Sequence, residues 1–303
     1  AADDSATYSK SISGAGSFLK SGLGALTFDQ VHSYTGTTAI SGGVLKISSS
    51  GSLPESTVVD VSSGSTYQLG NLDTIAGLKG AGSVDLNGNE LTINQSASQA
   101  TFSGAISGSA SGSNLRKQGL GTFILSGSSN TYSGNTFVDA GILSISGKPN
   151  NNSDIDIDSG AVLGFDITGS QSYFGILSGE GGITKNGTGK LSLTGAKSFT
   201  GDTTINAGTL ESEGSAMSSA VAVASGATYE IDLVAADDSA TYSKSISGAG
   251  SFLKSGAGAL TFDQVHSYTG STAISGGELK ISNGSLSNST AVSVVNGATY
   301  ELG

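Results

Sequence analysis

The sequence predicts an all-β protein, a right-handed parallel β-helix, from three observations. Short segments of alternating apolar and polar residues recur along the chain, with Gly, Asn or Asp between them. Gly accounts for 47 of the 303 residues without a Gly-X-Y period, and only 2 are Pro, so tight corners rather than a collagen triple helix explain the glycine content. No stretch of useful length has the period of an amphipathic helix. Stacked coils would bury the apolar residues in one continuous column.

A long internal repeat determines the domain organisation. Residues 1–47 recur at 235–281 with only three substitutions. The 234-residue unit 1–234 therefore restarts at 235–303. We expect 1–303 to be one continuous β-solenoid segment that forms part of a longer repeat array.

A shorter repeat lies inside the long one and begins with a Lys-x-Gly-x-Gly pattern. An alternating strand follows each pattern, then an aromatic residue two positions before a turn glycine, then a closing strand. The pattern begins at Lys20, Lys117, Lys185 and Lys254. The corresponding aromatic residues are Tyr34, Tyr132, Phe199 and Tyr268.

The spacing of the landmark lysines predicts the coil length. The lysines lie 97, 68 and 69 residues apart. The two shorter spacings predict about three coils of roughly 23 residues per ~69-residue repeat, and roughly thirteen coils in all. The longer spacing accommodates one extra coil around Ser83–Asn94, where Asn87-Gly88-Asn89 indicates a hairpin or a corner. A tandem immunoglobulin-like array is the alternative, but it requires about seven strands per domain and fits the sub-period less well.

These landmarks resemble the passenger-associated transport repeat of bacterial autotransporters. One copy runs from Lys185–Gly189 through Leu191 and Leu193 to Phe199–Gly201, and then to Gly208–Leu210. The resemblance covers nearly the whole chain and specifies a fold and an export route more strongly than an activity. It implies a β-helical passenger carried to the surface of a Gram-negative cell, with repeats that help folding during secretion.

Composition excludes several classes of function. The net charge of −11 disfavours nucleic acid as a partner. No run of roughly 18 apolar residues is present, so we expect no membrane insertion of this segment. The absence of Cys removes disulfides, thiolate zinc sites and cysteine nucleophiles.

The candidate chemical residues have simpler structural interpretations. A Ser-His-Asp arrangement can be drawn from Asp29, His32 and Ser33, but any serine-rich chain allows one, and a corner histidine is the preferred interpretation. Alternation places Asp154, Asp156 and Asp158 on one strand face, where they would recruit Ca²⁺, cleave a polysaccharide or, as we favour, face solvent. The four lysines would form a line along the solenoid or, as we favour, mark a corner. The four aromatics would stack sugars or, as we favour, pack in the structure. We predict no catalytic, cofactor-binding or metal site, and no cofactor.

The sequence therefore predicts a non-enzymatic extracellular protein of the bacterial cell surface, associated with the outer membrane. Its expected roles are surface attachment, self-association or biofilm formation. Its expected partners are other copies of itself, or a host or neighbouring surface of protein or glycan. One alternative is a segment of a long filament built from near-identical repeats. The second is a carbohydrate-active β-helix that uses the three aspartates of 154–158.

Overall fold

The described residues form an all-β solenoid. The computed structural model describes residues 4–96, 98–283, 285–286 and 291–303. That part of the chain contains no helix, and so none long and apolar enough to cross a membrane. Its strands pair in parallel and make about 15 turns, which confirms the predicted fold class. The chain divides into two compact units, Ala1–Ala161 and Val162–Gly303.

The first unit consists of short strands connected by tight corners. Its strands are β1 Ala6–Tyr8, β2 Ser13–Gly14, β3 Phe18–Lys20, β4 Ala25–Phe28, β5 Ser33–Tyr34, β6 Thr38–Ile40, β7 Val44–Ile47, β8 Val58–Val61, β9 Thr66–Gln68, β10 Asp73–Ile75, β11 Gly77–Gly80, β12 Ser83–Asp85, β13 Leu91–Asn94, β14 Gln99–Phe102, β15 Ala105–Ser107, β16 Leu115–Gln118, β17 Thr122–Leu125, β18 Thr136–Val138, β19 Ile142–Ile145 and β20 Ile155–Ile157.

Three parallel rows of strands make up most of this unit. They run β3-β6-β8-β11-β14-β17-β19, β1-β4-β7-β9-β12-β15 and β10-β13-β16-β18-β20, and β2 pairs with β5. Register aligns apolar residues from turn to turn, because every second side chain points inward. Leu45, Tyr67, Val84 and Ile106 form one such column, and all four are fully buried.

The second unit is built in the same way. Its strands are β21 Val162–Asp166, β22 Gln171–Tyr173, β23 Leu177–Gly179, β24 Gly182–Asn186, β25 Lys190–Leu193, β26 Thr203–Ile205, β27 Thr209–Glu213, β28 Val221–Val223, β29 Thr228–Asp232, β30 Ser239–Tyr242, β31 Ile246–Gly248, β32 Ser251–Ser255, β33 Ala259–Phe262, β34 Thr272–Ile274, β35 Glu278–Ile281, β36 Val292–Val294 and β37 Thr299–Leu302.

The rows of the second unit run β21-β24-β26-β28-β31, β22-β25-β27-β29-β32-β34-β36 and β30-β33-β35-β37. Leu191, Leu210, Tyr229 and Phe252 stack in register as its core column. Each unit is thus stabilised mainly by contacts between neighbouring turns. The continuity of one solenoid over 1–303 stays a prediction.

The turns are shorter than the sequence spacing predicts. Paired strands one turn apart are offset by 17 residues at Thr66 and Ser83 and by 25 at Val221 and Ile246, with most pairs at 19 to 22. A spacing of 69 residues therefore spans three turns plus one further corner. As a result, the Lys-x-Gly-x-Gly pattern of the second unit moves to a different row between Lys185 on β24 and Lys254 on β32.

The predicted extra coil around Ser83–Asn94 contains a corner and not a hairpin. Strands β12 and β13 belong to different rows, and each pairs only with strands of neighbouring turns. Asn87 and Gly88 form the corner between them with φ of 46° and 82°. Asn and Gly tolerate this left-handed region better than other residues do.

Candidate functional site

The lysine of each Lys-x-Gly-x-Gly pattern is buried and joins two turns. Lys117 is 0% exposed, and its Nζ donates to the carbonyl oxygens of Gln118 at 2.8 Å, Gly119 at 2.7 Å and Ala140 at 3.0 Å. The first two carbonyls belong to its own corner and the third to the following turn. An ammonium has three donors, so this clamp satisfies all of them.

The same clamp recurs in the other three copies. In each, the lysine donates to the next residue, to the first glycine of the pattern and to a residue 22 positions on. The acceptors are Ser21, Gly22 and Gly42 for Lys20, Asn186, Gly187 and Ala207 for Lys185, and Ser255, Gly256 and Gly276 for Lys254.

The two glycines of the pattern are required for different reasons. The first has a positive φ, 73° at Gly187, which L side chains rarely adopt. The second lies against the previous turn, because a Cβ built on Gly189 would come within 2.0 Å of the Gly169 carbonyl oxygen. The pattern therefore encodes a tight, closely stacked corner that the lysine closes.

The lysines do not form a line in either unit. Lys20 and Lys117 lie on β3 and β16, which belong to different rows, and so do Lys185 on β24 and Lys254 on β32. The alternative of a line is therefore wrong within each unit, and the preferred interpretation of the lysines as corner landmarks agrees with the clamps. Burial lowers the pKa of Lys117 to about 8, against the opposing charge of Asp139, so the ammonium persists at neutral pH.

The landmark aromatics are part of the interior. Tyr34, Tyr132, Phe199 and Tyr268 are at most 2% exposed. Each tyrosine hydroxyl pairs with the threonine hydroxyl four residues on, at 2.5 Å from Tyr34, 2.7 Å from Tyr132 and 2.5 Å from Tyr268. These rings cannot stack a sugar, and the interpretation as structural packing is confirmed.

Two residues before each aromatic lies a second buried polar side chain. In the first and last copies, His32 and His266 accept the N–H of Ile12 and of Ile246 at Nδ1, each at 3.1 Å. In the second copy, Asn130 Oδ1 accepts the N–H of Ile106, also at 3.1 Å.

In the third copy, the corresponding backbone N–H has a different acceptor. The N–H of Leu177 bonds to the backbone carbonyl of Ala196 at 2.9 Å. The side chain at this position, Lys197, therefore serves as a fifth lysine clamp, on the carbonyls of Leu193, Gly195 and Glu213.

The Ser-His-Asp arrangement is not assembled. His32 uses Nδ1 for the Ile12 N–H, and its buried Nε2 has no hydrogen-bond partner. Asp29 accepts the Ser9 hydroxyl at 2.6 Å, while Ser33 is exposed. A triad needs the imidazole bonded to both the carboxylate and the serine, and neither bond is present.

The aspartates of 154–158 lie on the outside, as predicted. Ile155 and Ile157 are buried, Asp154 and Asp158 are exposed, and Asp156 is half-buried in register with Phe137. Within the described residues, no group of three or more acidic or histidine side chains could hold a metal ion. The alternation was predictable from the period of two.

A buried carboxylate pair of the second unit was not predicted. Lys190 Nζ contacts Glu211 at 2.6 Å and Glu230 at 2.9 Å, and both glutamates are only 6% exposed. Although burial acts the other way, hydrogen bonds to both glutamates raise the pKa of Lys190. Ser192 donates to Glu211, and Ser255 donates to Glu230 at 2.7 Å.

In this network every charged group has a partner of opposite charge. Its members come from β25, β27, β29 and β32, and only the turn register brings them together. Glu211 and Glu230 stand opposite each other in neighbouring strands. No single strand carries a motif for the network. The one indication in the sequence is that Glu211 and Glu230 are separated by the length of one turn.

In the first unit, a carboxylate is buried in the core itself. Asp73 is 2% exposed, accepts the Tyr67 hydroxyl and accepts the Leu53 N–H at 3.3 Å. Burial raises the pKa of Asp73 to about 6, against these hydrogen bonds. The surroundings are closed by core residues, so this group is a structural one.

The fold and its clamped corners define the class: a repeat protein whose landmark residues close the turns of a parallel β-solenoid. The profile of the Passenger-associated-transport-repeat matches residues 18–47, 115–145, 183–211 and 252–281, each from the lysine strand to the closing strand. The chain thus carries four copies of the repeat that is found in the passengers of autotransporters.

A curated relative agrees with this assignment. The chain is 31% identical over 333 aligned positions to the Adhesin BmaC autotransporter of Brucella suis biovar 1 (strain 1330). The alignment covers 88% of this chain and 10% of the relative, so the chain spans about a tenth of its length. No solved structure matches the chain significantly. The repeats and the relative imply a cell-surface or extracellular location.

Proposed function

We propose that this chain is a non-enzymatic, adhesive segment of a surface passenger that attaches to host or neighbouring surfaces. The observation that carries the proposal is the 31% identity to an autotransporter adhesin along 88% of the chain. The buried landmarks support it, because the repeat residues are used inside the turns. Contacts with partners would therefore be made by the side chains that point outward from the rows of strands.

An uncharged outward row of the second unit suits contact with a second copy. Thr184, Thr204, Ala222 and Ser247 follow one another in register. With a net charge of −11, two copies repel each other unless they meet along such a row. Strands repeat about every 4.8 Å, so hydroxyl contacts would recur along the row and add up.

Attachment is tested with beads coated with the purified 303-residue chain. We expect these beads to bind cell monolayers or matrix-coated wells on the order of tenfold better than albumin-coated beads. Soluble chain should compete. Binding equal to that of albumin on every surface would contradict the adhesive role.

Self-association is tested separately by sedimentation and bead clustering. Thr184→Glu with Thr204→Glu introduces like charges into the uncharged row and should abolish clustering. Ser239→Glu with Thr241→Glu, at two exposed positions of β30 in another row, is the matched control. Equal clustering by both variants would remove this row from the proposal.

A filament is the second candidate, favoured by the near-identity of 1–47 and 235–281. Electron microscopy of native material would reveal long fibres with a strand repeat of about 4.8 Å along the fibre axis. The carbohydrate-active alternative predicts polysaccharide cleavage by the parent chain and its loss in Asp156→Asn. No cleavage by the parent would end that alternative.

A further inference from the structure

The buried polar position before the aromatic corner differs among the repeats in one chemical respect. His32 and His266 titrate in the accessible pH range, whereas Asn130 does the same work and does not titrate. Both kinds of side chain accept one backbone N–H from the previous turn. The difference provides an internal comparison of a titrating and a non-titrating corner.

The surroundings of His266 favour the neutral imidazole. The side chain is 0% exposed, its ring lies 4.0 Å from that of Phe262, and it stacks on Tyr242 at 6.0 Å and 13°. Nδ1 accepts the Ile246 N–H, so the proton of the neutral ring is on Nε2, which has no partner. A charged ring would have to be accommodated among these apolar rings.

His32 has a similar but less enclosed environment in the first unit, where Tyr8, the counterpart of Tyr242, is 39% exposed. It is 2% exposed, its ring lies 4.0 Å from that of Phe28, and Nε2 again has no partner. Tyr34 approaches the ring at 6.3 Å. The sequences around the two histidines are nearly identical, so the two corners should behave alike.

Charged and titratable groups surround both rings. Asp263, Tyr242 and Tyr268 lie around His266, and Asp29 and Tyr34 lie around His32. Burial lowers the pKa of His266 to about 4, against the charge of Asp263. Burial also lowers the pKa of His32, against the charge of Asp29.

Protonation removes the acceptor that the corner needs. An imidazolium carries N–H on both nitrogens, so Nδ1 would face the Ile246 N–H with a second donor. A buried charge without an acceptor is added at the same time. Both effects oppose the closed corner, and they outweigh the favourable charge of Asp263.

We propose that the two histidines are acid-sensitive latches, in which protonation of the imidazole releases the backbone N–H and opens that corner of the turn. The opened corner binds a proton more readily than the closed one. Stability of the corner is therefore full above about pH 6.5 and falls as the pH decreases toward the value of the closed state. Mild acid would expose the aromatic rings behind the latch and loosen the solenoid locally.

The experiment is hydrogen exchange of isoleucine amides in the full chain, corrected for intrinsic exchange rates. From about pH 7 to about pH 5, protection of Ile246 should fall on the order of tenfold. Protection of Ile106, which is held by Asn130, should stay level. The chain has only 2 histidines, so their titration can be followed on two resolved NMR signals.

Two substitutions make the test more specific. His266→Asn copies the natural Asn130 corner and should remove the acid response at Ile246. Asn130→His should transfer an acid response to Ile106. Equal pH responses at Ile246 and Ile106 in the parent, or an unchanged response at Ile246 in His266→Asn, would overturn the latch.

Discussion

The two corners of the repeat use polar side chains under different constraints. At the lysine corner, three carbonyls converge on one point in all four copies, and the residue there is always Lys. At the aromatic corner a single N–H needs an acceptor, and His, Asn or a backbone carbonyl supplies it. The number of backbone groups that must be satisfied thus explains why one position is uniform and the other varies.

The largest effect is expected from breaking a clamp. Lys254→Met keeps much of the apolar stem but leaves three buried carbonyls without their donor. We expect a loss of about 3 kcal/mol or more in the free energy of unfolding. Urea unfolding followed by circular dichroism measures it.

The control for this variant is Lys79→Met. Lys79 is exposed and makes one ion pair with Asp60 at 3.1 Å. Its loss should cost about 1 kcal/mol or less. Similar midpoints for the two variants would mean that the buried ammonium contributes no more than a surface one.

The close stacking at the lysine corner can be broken independently of the lysine. Gly189→Ala places a Cβ against the Gly169 carbonyl and should destabilise the second unit by about 2 kcal/mol. Gly169→Ala is the control, because no heavy atom lies within 4 Å of its added Cβ. Thermal unfolding compares the two variants. Equal stability of Gly189→Ala and Gly169→Ala would show that neighbouring turns can move apart at this corner without cost.

An interior carboxylate should behave oppositely to the interior histidines with pH. The folded pKa of Asp73, about 6, lies above its ordinary value of 3.8, so the folded chain binds the extra proton between them. The contribution of Asp73 to the free energy of unfolding is therefore present at low pH. It decreases by about 1–2 kcal/mol as the pH rises from about 4 to about 6.

The variant that checks this is Asp73→Asn, which cannot titrate. Its unfolding midpoint should vary less than that of the parent over the same pH range. A parent and a variant with parallel pH profiles would assign the dependence to other groups.

The smallest effect is expected at the aromatic corner. Tyr132→Phe removes one hydroxyl pair with Thr136, and Phe199 shows that the third repeat lacks this hydroxyl. We expect a loss of about 1 kcal/mol, measured by urea unfolding. A loss as large as that of the lysine variant would contradict the ranking of the two corners.

Much of the fold was predictable, because strand alternation and corner glycines are local signals. The Lys-x-Gly-x-Gly pattern, the aromatic and the closing strand fall where the sequence places them. The destination of the lysine was not predictable, because it depends on a carbonyl one turn away. The row that each repeat lysine occupies was not predictable for a related reason, because it depends on the difference between turn length and repeat length.

The pairing of distant charges follows the same rule. Glu211, Glu230 and Lys190 meet only through strand register, and no spacing within one strand indicates them. By contrast, the outward aspartates of 154–158 were predicted correctly, because alternation within one strand decides their face.

The central claim is that the repeat lysines are internal clamps and not surface contacts. Acylation footprinting of the folded chain with mass spectrometry tests it directly. Lys20, Lys117, Lys185, Lys197 and Lys254 should react at least about tenfold more slowly than exposed Lys10, Lys46, Lys79, Lys148 and Lys244. Equal reaction rates in the two groups would place the repeat lysines on the surface and contradict the account.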